Sequence, residues 1–421
     1  MKKGVIKMAT LAIKGGPPVR TKPFPIFSTD RDIGVEEIVE VVRAVYSKRL
    51  GRNAGTYVRR FEEEFAKLYG VKYAIASTSG TVSIHVALGA INPEPGTEII
   101  TGAISDIGTI IPILLQNCIP VFADLDPDTY SLDPSSVEEK ITEKTRVIIP
   151  VHLFGVADHL DELRDICDRR GLYLIEDCSQ AHLATYRGKY AGTWGDLGCF
   201  SLQQSKQMTT GDGGMTITND DKLGRRARLF MDKAWPRGGD DRGYLFLALN
   251  ARMTEMQGAV GLAQLRKVKD MVERRRRVAK YVINQCKDLN GLFFQKVPED
   301  SESSFWLIAF RVDKDTVGVD ASTFNEALKA EGIPSGHGYI KRPLYMFPVL
   351  RDWKTYGNSG CPFTCPHARP QKQYVKGMCP TTEAILDNII TIFINESFTD
   401  EDAEDIARGI RKVYENINEL V

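Results

Sequence analysis

One lysine in the 421-residue chain stands in a setting suited to covalent chemistry. Lys206 lies between the apolar run Phe200-Ser201-Leu202 and the turn Thr209-Thr210-Gly211-Asp212-Gly213-Gly214, with hydroxyls on both sides. A lysine amine attacks carbonyls once its charge is disfavoured or it is locked as an imine. Most lysines are solvated loop residues, so the weight of Lys206 depends on what accompanies it. Two other segments bear on this. Ser77-Thr78-Ser79-Gly80-Thr81 ends an apolar run and opens a helical pattern, where free backbone N–H groups and the helix dipole receive phosphate. Gly80 lets the backbone approach closely, and Ser79 and Thr81 add hydroxyl donors; taken alone, the segment reads as an ordinary N-cap. Leu174-Ile175-Glu176-Asp177-Cys178-Ser179-Gln180-Ala181-His182 runs a strand into two acids, which in α/β enzymes are metal ligands, acid–base groups or caps. Asp177 is the better placed of the two to face a ligand.

These segments need a frame that brings strand ends together, and the spacing of apolar residues predicts one. Short apolar runs at 73–77, 98–101, 120–123, 146–151 and 173–176 read as buried strands. Amphipathic stretches at 79–88, 110–116, 135–141 and 159–170 read as the helices between them. Such alternation predicts an α/β fold, a mostly parallel sheet covered on both faces, with ligands at the C-terminal ends of the strands. A Pro/Gly-rich N-terminal arm is expected over 1–34, a large domain over 35–290 and a smaller α+β domain over 291–421. Residues 357–379 lack periodicity and are expected as a loop excursion.

The composition excludes several classes of partner. Lys+Arg and Asp+Glu both number 55, so the net charge is zero, against nucleic acid or an anionic membrane surface. No apolar stretch reaches the roughly 20 residues of a membrane span, and the N-terminus lacks the features of a signal peptide. Eight cysteines, mostly inside apolar runs, are expected as reduced core residues of a cytoplasmic protein.

In combination, the motifs Glu176-Asp177-Cys178-Ser179-Gln180-Ala181-His182, Gly195-Asp196-Leu197-Gly198-Cys199-Phe200-Ser201, Lys206 and Thr210-Gly211-Asp212-Gly213-Gly214 resemble those of the DegT/DnrJ/StrS aminotransferases. The likeness runs from Phe61-Glu62-Glu63-Glu64-Phe65 to the C-terminal helix. It implies a pyridoxal-phosphate (PLP) enzyme of fold type I that aminates keto-sugars or cyclitols in amino-sugar or antibiotic biosynthesis. By position, Lys206 is similar to the Schiff-base lysine and Asp177 to the partner of the pyridine nitrogen. Gln180 matches a glutamine near the cofactor's phenolic oxygen, and Gly80, Thr81 and Ser201 match phosphate ligands. Asp106 stands in register where many members stack an aromatic residue on the ring. Asn250 resembles an asparagine that reaches the neighbouring subunit's phosphate, which implies a homodimer with shared sites.

On the acceptor side, Leu11-Ala12-Ile13-Lys14-Gly15-Gly16-Pro17-Pro18-Val19-Arg20 and Gln203 are similar to the branch acting on cyclitols, with glutamine or glutamate as donor. A nucleotide-linked keto-sugar is the alternative acceptor. Sugar dehydratases of this fold replace the lysine with histidine, and a non-catalytic regulator would need a binding module that no basic helix-turn-helix pattern supplies. His152 and His337 are candidate substrate contacts. Cys361, Cys365, His367 and Cys379 fit no common zinc spacing, and no metal is expected. The basic run 274–277 is expected as a solvated helix face.

Overall fold

The computed structural model describes residues 10–238 and 243–421. Its larger sheet has seven strands: β1 (Tyr73–Ser77), β2 (Glu98–Gly102), β3 (Ile119–Ala123), β4 (Thr145–Ile149), β5 (Tyr173–Asp177), β8 (Leu197–Ser201) and β9 (Gly214–Thr218). The two-residue strands β6 (Thr185–Tyr186) and β7 (Lys189–Tyr190) form a separate hairpin before β8. The order across the large sheet is β1-β9-β8-β5-β4-β2-β3. Every neighbouring pair is parallel except those made by β9, which is antiparallel to both β1 and β8. β2, β8 and β9 are buried at every residue, which is why these strands read as unbroken apolar runs rather than alternating ones.

The parallel strands are joined by helices that cross the sheet. The helix Gly80–Ile91 follows β1 and is capped by Ser79, whose side chain accepts from the Val82 N–H. It is apolar nearly all round because it is buried nearly all round. The helix Leu160–Arg170 likewise joins β4 to β5. As a result the ends of β1, β2, β4, β5 and β8 that feed the functional segments all lie along one edge of the sheet.

The smaller sheet is antiparallel, in the order β10 (Leu292–Phe294), β11 (Leu307–Val312), β13 (Ile389–Phe393), β12 (Ser335–His337). Its core includes Ile308, Phe310, Phe324, Ile392 and Ile406, and Leu11 of the arm joins it. The 32-residue helix Glu255–Cys286 starts in a capping box between Thr254 and Gln257 and is about 48 Å long at 1.5 Å per residue. Leu262, Val268 and Met271 pack into the large-domain core, whereas Val278, Val282 and Cys286 pack into the small one. One continuous helix therefore fixes the two sheets to each other.

Two expectations are corrected by packing. Residues 357–379 do lack helix and strand, but Phe363, Tyr374 and Cys379 are buried with Phe122 against the large sheet, so this stretch packs with the large domain rather than projecting from the small one. Within the basic run, Arg275 and Arg276 are buried, not solvated: Arg275 pairs with Glu396, and Arg276 donates to the Leu183 and Ser303 carbonyls. All eight cysteines are free thiols. Among the described residues no helix is long and apolar enough to cross a membrane.

Candidate active site

Along the shared strand edge lies a cavity of about 370 Å³. Ser79, Gly80, Thr81, Asp106, Asp177, Gln180, Ser201, Gln203 and Lys206 all line it. Lys206, Asp177 and Gln180 are buried at its floor, while Asp106, Gln203 and Asp212 are exposed at its mouth.

The phosphate-shaped corner is built by two strand ends. Gly80 opens its helix directly against Ser201 at the end of β8, so closely that a Cβ on Gly80 would stand 2.6 Å from the Ser201 Cβ. Only glycine permits this approach. The first N–H groups of the helix have no intrahelical acceptor, and the hydroxyls of Thr81 and Ser201 border the same space. Behind the corner, His182 Nε2–H donates to the Ser201 carbonyl at 2.8 Å.

Asp177 ends β5, and its carboxylate is held from two sides. Thr109 Oγ1 donates to Oδ2 at 2.8 Å, and the Ser179 N–H donates to Oδ1 at 3.0 Å. Thr109 is in turn tied to Ser105 Oγ at 2.7 Å. Gln180 is oriented by the Phe154 N–H, which donates to Oε1 at 2.7 Å, and by its own Nε2, which donates to the Tyr339 hydroxyl at 3.2 Å. Asp106 caps the short turn Ile107–Thr109 by accepting from the Gly108 N–H at 2.8 Å. No aromatic side chain comes from that turn; the aromatic groups bordering the cavity are Trp306 and Tyr339.

Lys206 Nζ lies over the Trp306 ring, 3.9 Å from its centroid. Burial pulls the amine down to about 8 from its usual 10.5, although Asp177 and Asp106 favour its charged form. A substantial neutral fraction near pH 8 is what a carbonyl nucleophile requires. Gln203 accepts from the Ser205 N–H and hydroxyl, both at 2.8 Å, and so stiffens the turn that carries Lys206.

Other candidates fall elsewhere. His152 is buried beside the cavity rather than lining it, with Nε2 3.0 Å from Glu176 Oε2. His337 lies on β12, where its Nε2 meets the Asp387 carbonyl at 2.9 Å, and it does not line the cavity; Tyr339, two residues on, does. Asn250 is exposed, bridges to Asp232 and does not border the cavity of its own chain. Cys361, Cys365, His367 and Cys379 do not converge: among the described residues the one set of three potential ligand atoms within 4.8 Å of one another is His152, Glu176 and Cys178. There Glu176 is already taken up by the N–H groups of Gly192, Trp194 and Gly195, each at 2.7 Å. Thr109, Trp306 and Tyr339 also line the cavity, and no local sequence pattern marks them.

Residues 32–411 match the family model for DegT/DnrJ/EryC1/StrS aminotransferases. A putative L-glutamine:3-amino-2,3-dideoxy-scyllo-inosose aminotransferase of Micromonospora echinospora is 36% identical over 353 residues, 81% of this chain and 83% of that protein. The L-glutamine:2-deoxy-scyllo-inosose aminotransferase of Streptoalloteichus tenebrarius is 34% identical over 434 residues, covering 97% of this chain and 99% of its own. An aminotransferase from Psychrobacter cryohalolentis, solved by X-ray, superposes with a TM-score of 0.81 at 27% identity, over 95% of this chain and all of that one, 100%. The chain belongs to the DegT/DnrJ/EryC1/StrS aminotransferase family and is a PLP-dependent transaminase of fold type I.

Proposed function

We propose that this enzyme moves the amino group of L-glutamine or L-glutamate to a ketone on an uncharged carbocycle, a cyclitol, with Lys206 as the cofactor lysine. The observation that carries the acceptor class is the charge of the cavity. Three carboxylates border it, from Asp106, Asp177 and Asp212, and Lys206 is the one cation among the described lining residues. An acceptor bearing a diphosphate would meet acids without a matching guanidinium or ammonium. A polyol ketone needs only hydroxyl and carboxylate partners, which the mouth supplies. The relatives named as scyllo-inosose aminotransferases support the same reading.

The residues present fit PLP. The Gly80–Ser201 approach leaves a cradle that a Cβ would fill, with the helix N–H groups and the hydroxyls of Ser79, Thr81 and Ser201 around it to bind a phosphate. When bound, the cofactor supplies an electron-accepting ring that lets the α-hydrogen of an amino donor leave as a proton. Asp177, fixed by Thr109 and Ser179, holds a proton on the ring nitrogen. Gln180 donates beside the phenolic oxygen. Lys206 Nζ, as a free amine beside the bound donor, would carry the proton away from the donor α-carbon and later return one to the acceptor carbon. Burial under Trp306 keeps water from competing for that proton.

The reading includes a homodimer in which Asn250 serves the neighbouring site. Its support is an unusual helix: Val35–Tyr46 points Glu37 and Glu40 inward, toward Lys267 and Arg266, and apolar residues outward. Val35 is 70% exposed, Ile38 61%, Val42 60% and Tyr46 87%, and Leu247, near Asn250, is 95% exposed. Such an apolar stripe, at one helical face, is the kind of surface a second copy covers.

The test is a panel of acceptors at fixed L-glutamine. Turnover of 2-deoxy-scyllo-inosose or a related cyclitol ketone, at least about 30-fold above a nucleotide-linked keto-sugar, is expected from two unmatched phosphate charges at 1–3 kcal/mol each. Amination of nucleotide-linked keto-sugars alone would overturn the acceptor assignment.

A further inference from the structure

We propose that Arg31 and Glu396 are positioning residues that set how Lys206 is presented to the cavity. The turn from Gln203 to Gln207 has no regular secondary structure, and buried backbone carbonyls in such a turn must find partners. They find them outside it. Arg31, on the N-terminal arm, donates through Nη2 to the Lys206 carbonyl at 2.5 Å and the Gln207 carbonyl at 3.4 Å, and through Nη1 to the Gln204 carbonyl. Trp306, immediately before β11, donates its Nε1–H to the Ser205 carbonyl at 2.9 Å. Gln204 Nε2 reaches back to the Ser28 carbonyl of the arm at 2.9 Å. Two side chains, 175 and 101 residues away from their partners in the turn, thus hold its successive carbonyls from Gln204 to Gln207.

Arg31 is itself fixed. Its Nε meets Glu396 Oε1 at 2.7 Å, with side chains 1% and 0% exposed. Glu396 Oε2 receives Arg275 Nη2 at 2.8 Å, and Arg275 Nη1 donates to the Ile394 carbonyl at 3.0 Å and the Trp306 carbonyl at 3.5 Å. Burial favours a proton on Glu396, but Arg275 and Arg31 outweigh it and hold the carboxyl below its usual range. The chain Arg31–Glu396–Arg275 therefore joins the arm, the small domain and the long helix. It ends at the backbone of Lys206 and beside the ring that Nζ faces.

Docking the arm does not by itself call for this arrangement. Arg20 already ties the arm to the C-terminal helix through Asp402 at 2.7 Å and Asp405 at 2.9 Å. A buried ion network contributes little net stability compared with apolar packing of the same volume. What this one does is hold the geometry of the turn, and through it the contact of Nζ with Trp306. Without the Arg31 fork the side chain of Lys206 is free to leave that face and behave as a solvated amine.

The proposal rests on the reading of Lys206 as the cofactor lysine, so its test uses a readout that does not. In the full-length apoprotein, competitive acetylation of Lys206 with acetic anhydride is followed from pH 7 to 11 by peptide mass, in wild type and in Arg31→Met, Arg31→Lys, Glu396→Gln and Arg20→Met. The charged groups facing Nζ, namely Asp177, Asp106 and Arg275, are unchanged in every variant. The wild-type midpoint is expected near 8. Arg31→Met moves it toward the ordinary lysine value of about 10.4, so labelling at pH 8 falls at least tenfold, and PLP uptake slows in parallel. Arg31→Lys is intermediate, Glu396→Gln shifts in the same direction, and Arg20→Met matches wild type. The two conservative variants keep the test informative should Arg31→Met fail to fold. An unchanged midpoint in both Arg31→Lys and Glu396→Gln, or an equal shift in Arg20→Met, overturns the proposal. Failure of the underlying reading shows up separately, as cofactor fixed by borohydride to another lysine.

Discussion

Glu176 and Asp177 are consecutive on β5, yet their carboxylates serve opposite faces of the sheet, as the strand pleat requires. Glu176 accepts from the N–H groups of Gly192, Trp194 and Gly195 and from His152 Nε2. It closes a loop. Asp177 accepts from Thr109 Oγ1 and the Ser179 N–H and still borders the cavity, with lone pairs left for a ligand.

That division predicts different losses for similar substitutions. Asp177→Asn keeps one oxygen for the Ser179 N–H and turns the other bond around, its amide nitrogen donating to Thr109 Oγ1, but loses the charge that would hold a proton on the cofactor ring. A kcat reduction of about 100-fold or more is expected, the scale of losing one preorganised electrostatic contact, with unfolding free energy nearly unchanged. Glu176→Gln should cost about 1–3 kcal/mol of stability through weakened loop contacts while leaving the cofactor's absorbance intact. Urea unfolding and steady-state kinetics on both variants check the pair.

Gly80→Ala tests the cradle. The added methyl group would stand 2.6 Å from the Ser201 Cβ, and relieving an overpacked contact of this kind costs about 1–3 kcal/mol. Because the strain falls where phosphate binds, PLP affinity should drop roughly 5- to 150-fold by that cost. Fluorescence titration of the apoprotein with PLP measures it. Inorganic phosphate should protect wild type, but not the variant, against loss of structure on heating.

With Lys206 as the proposed cofactor lysine, its neutral form would be the nucleophile, and burial holds its folded-state value near 8, below that of an ordinary lysine. The rate at which apoprotein captures PLP should therefore rise with pH and level off above about 8. Stopped-flow absorbance gives this profile. A rate still climbing tenfold per unit at pH 9 would show an unperturbed lysine.

His182 predicts an acid limit to stability. Burial holds its ring at about 4, below the ordinary 6.5, and the bond to Ser201 offsets this only in part. Its Nδ1 is buried without a hydrogen-bond partner. The folded state resists protonation, so this contribution is complete above pH 6.5 and is lost as the pH falls through about 4. The loss is on the order of 3 kcal/mol for a shift of this size. His182→Gln, which retains a donor for the Ser201 carbonyl, should flatten the decline in urea midpoint between pH 6.5 and 4.

The parts of the fold and site legible in the sequence share a property: each is marked by adjacent residues. The five strands expected along the parallel sheet match β1 to β5 to within two residues at either end, because each is an apolar run bounded by turn residues. Ser79, Gly80 and Asp177 sit where two of those runs stop, and Ser201 and Lys206 where the apolar run of β8 does. Trp306, Tyr339 and Arg31 carry no such mark, since they reach the site only through the packing of the small domain and the arm on the large sheet. His337, expected in a polar loop near the site, lies instead on strand β12. Pairing of β12 with β13 turns it toward Asp387, and the left-handed backbone at Tyr339, φ 38°, brings that ring in. The burial of Arg275 is invisible to local spacing for a related reason: its partner Glu396 lies 121 residues away.

The most direct measurement of the central claim is reduction of the PLP-loaded protein with borohydride, followed by peptide mapping. The account predicts a single fixed cofactor per chain, on the peptide containing Lys206, and no fixed cofactor in Lys206→Ala. Cofactor fixed to another lysine, or a Lys206→Ala protein with full transaminase activity, would contradict it.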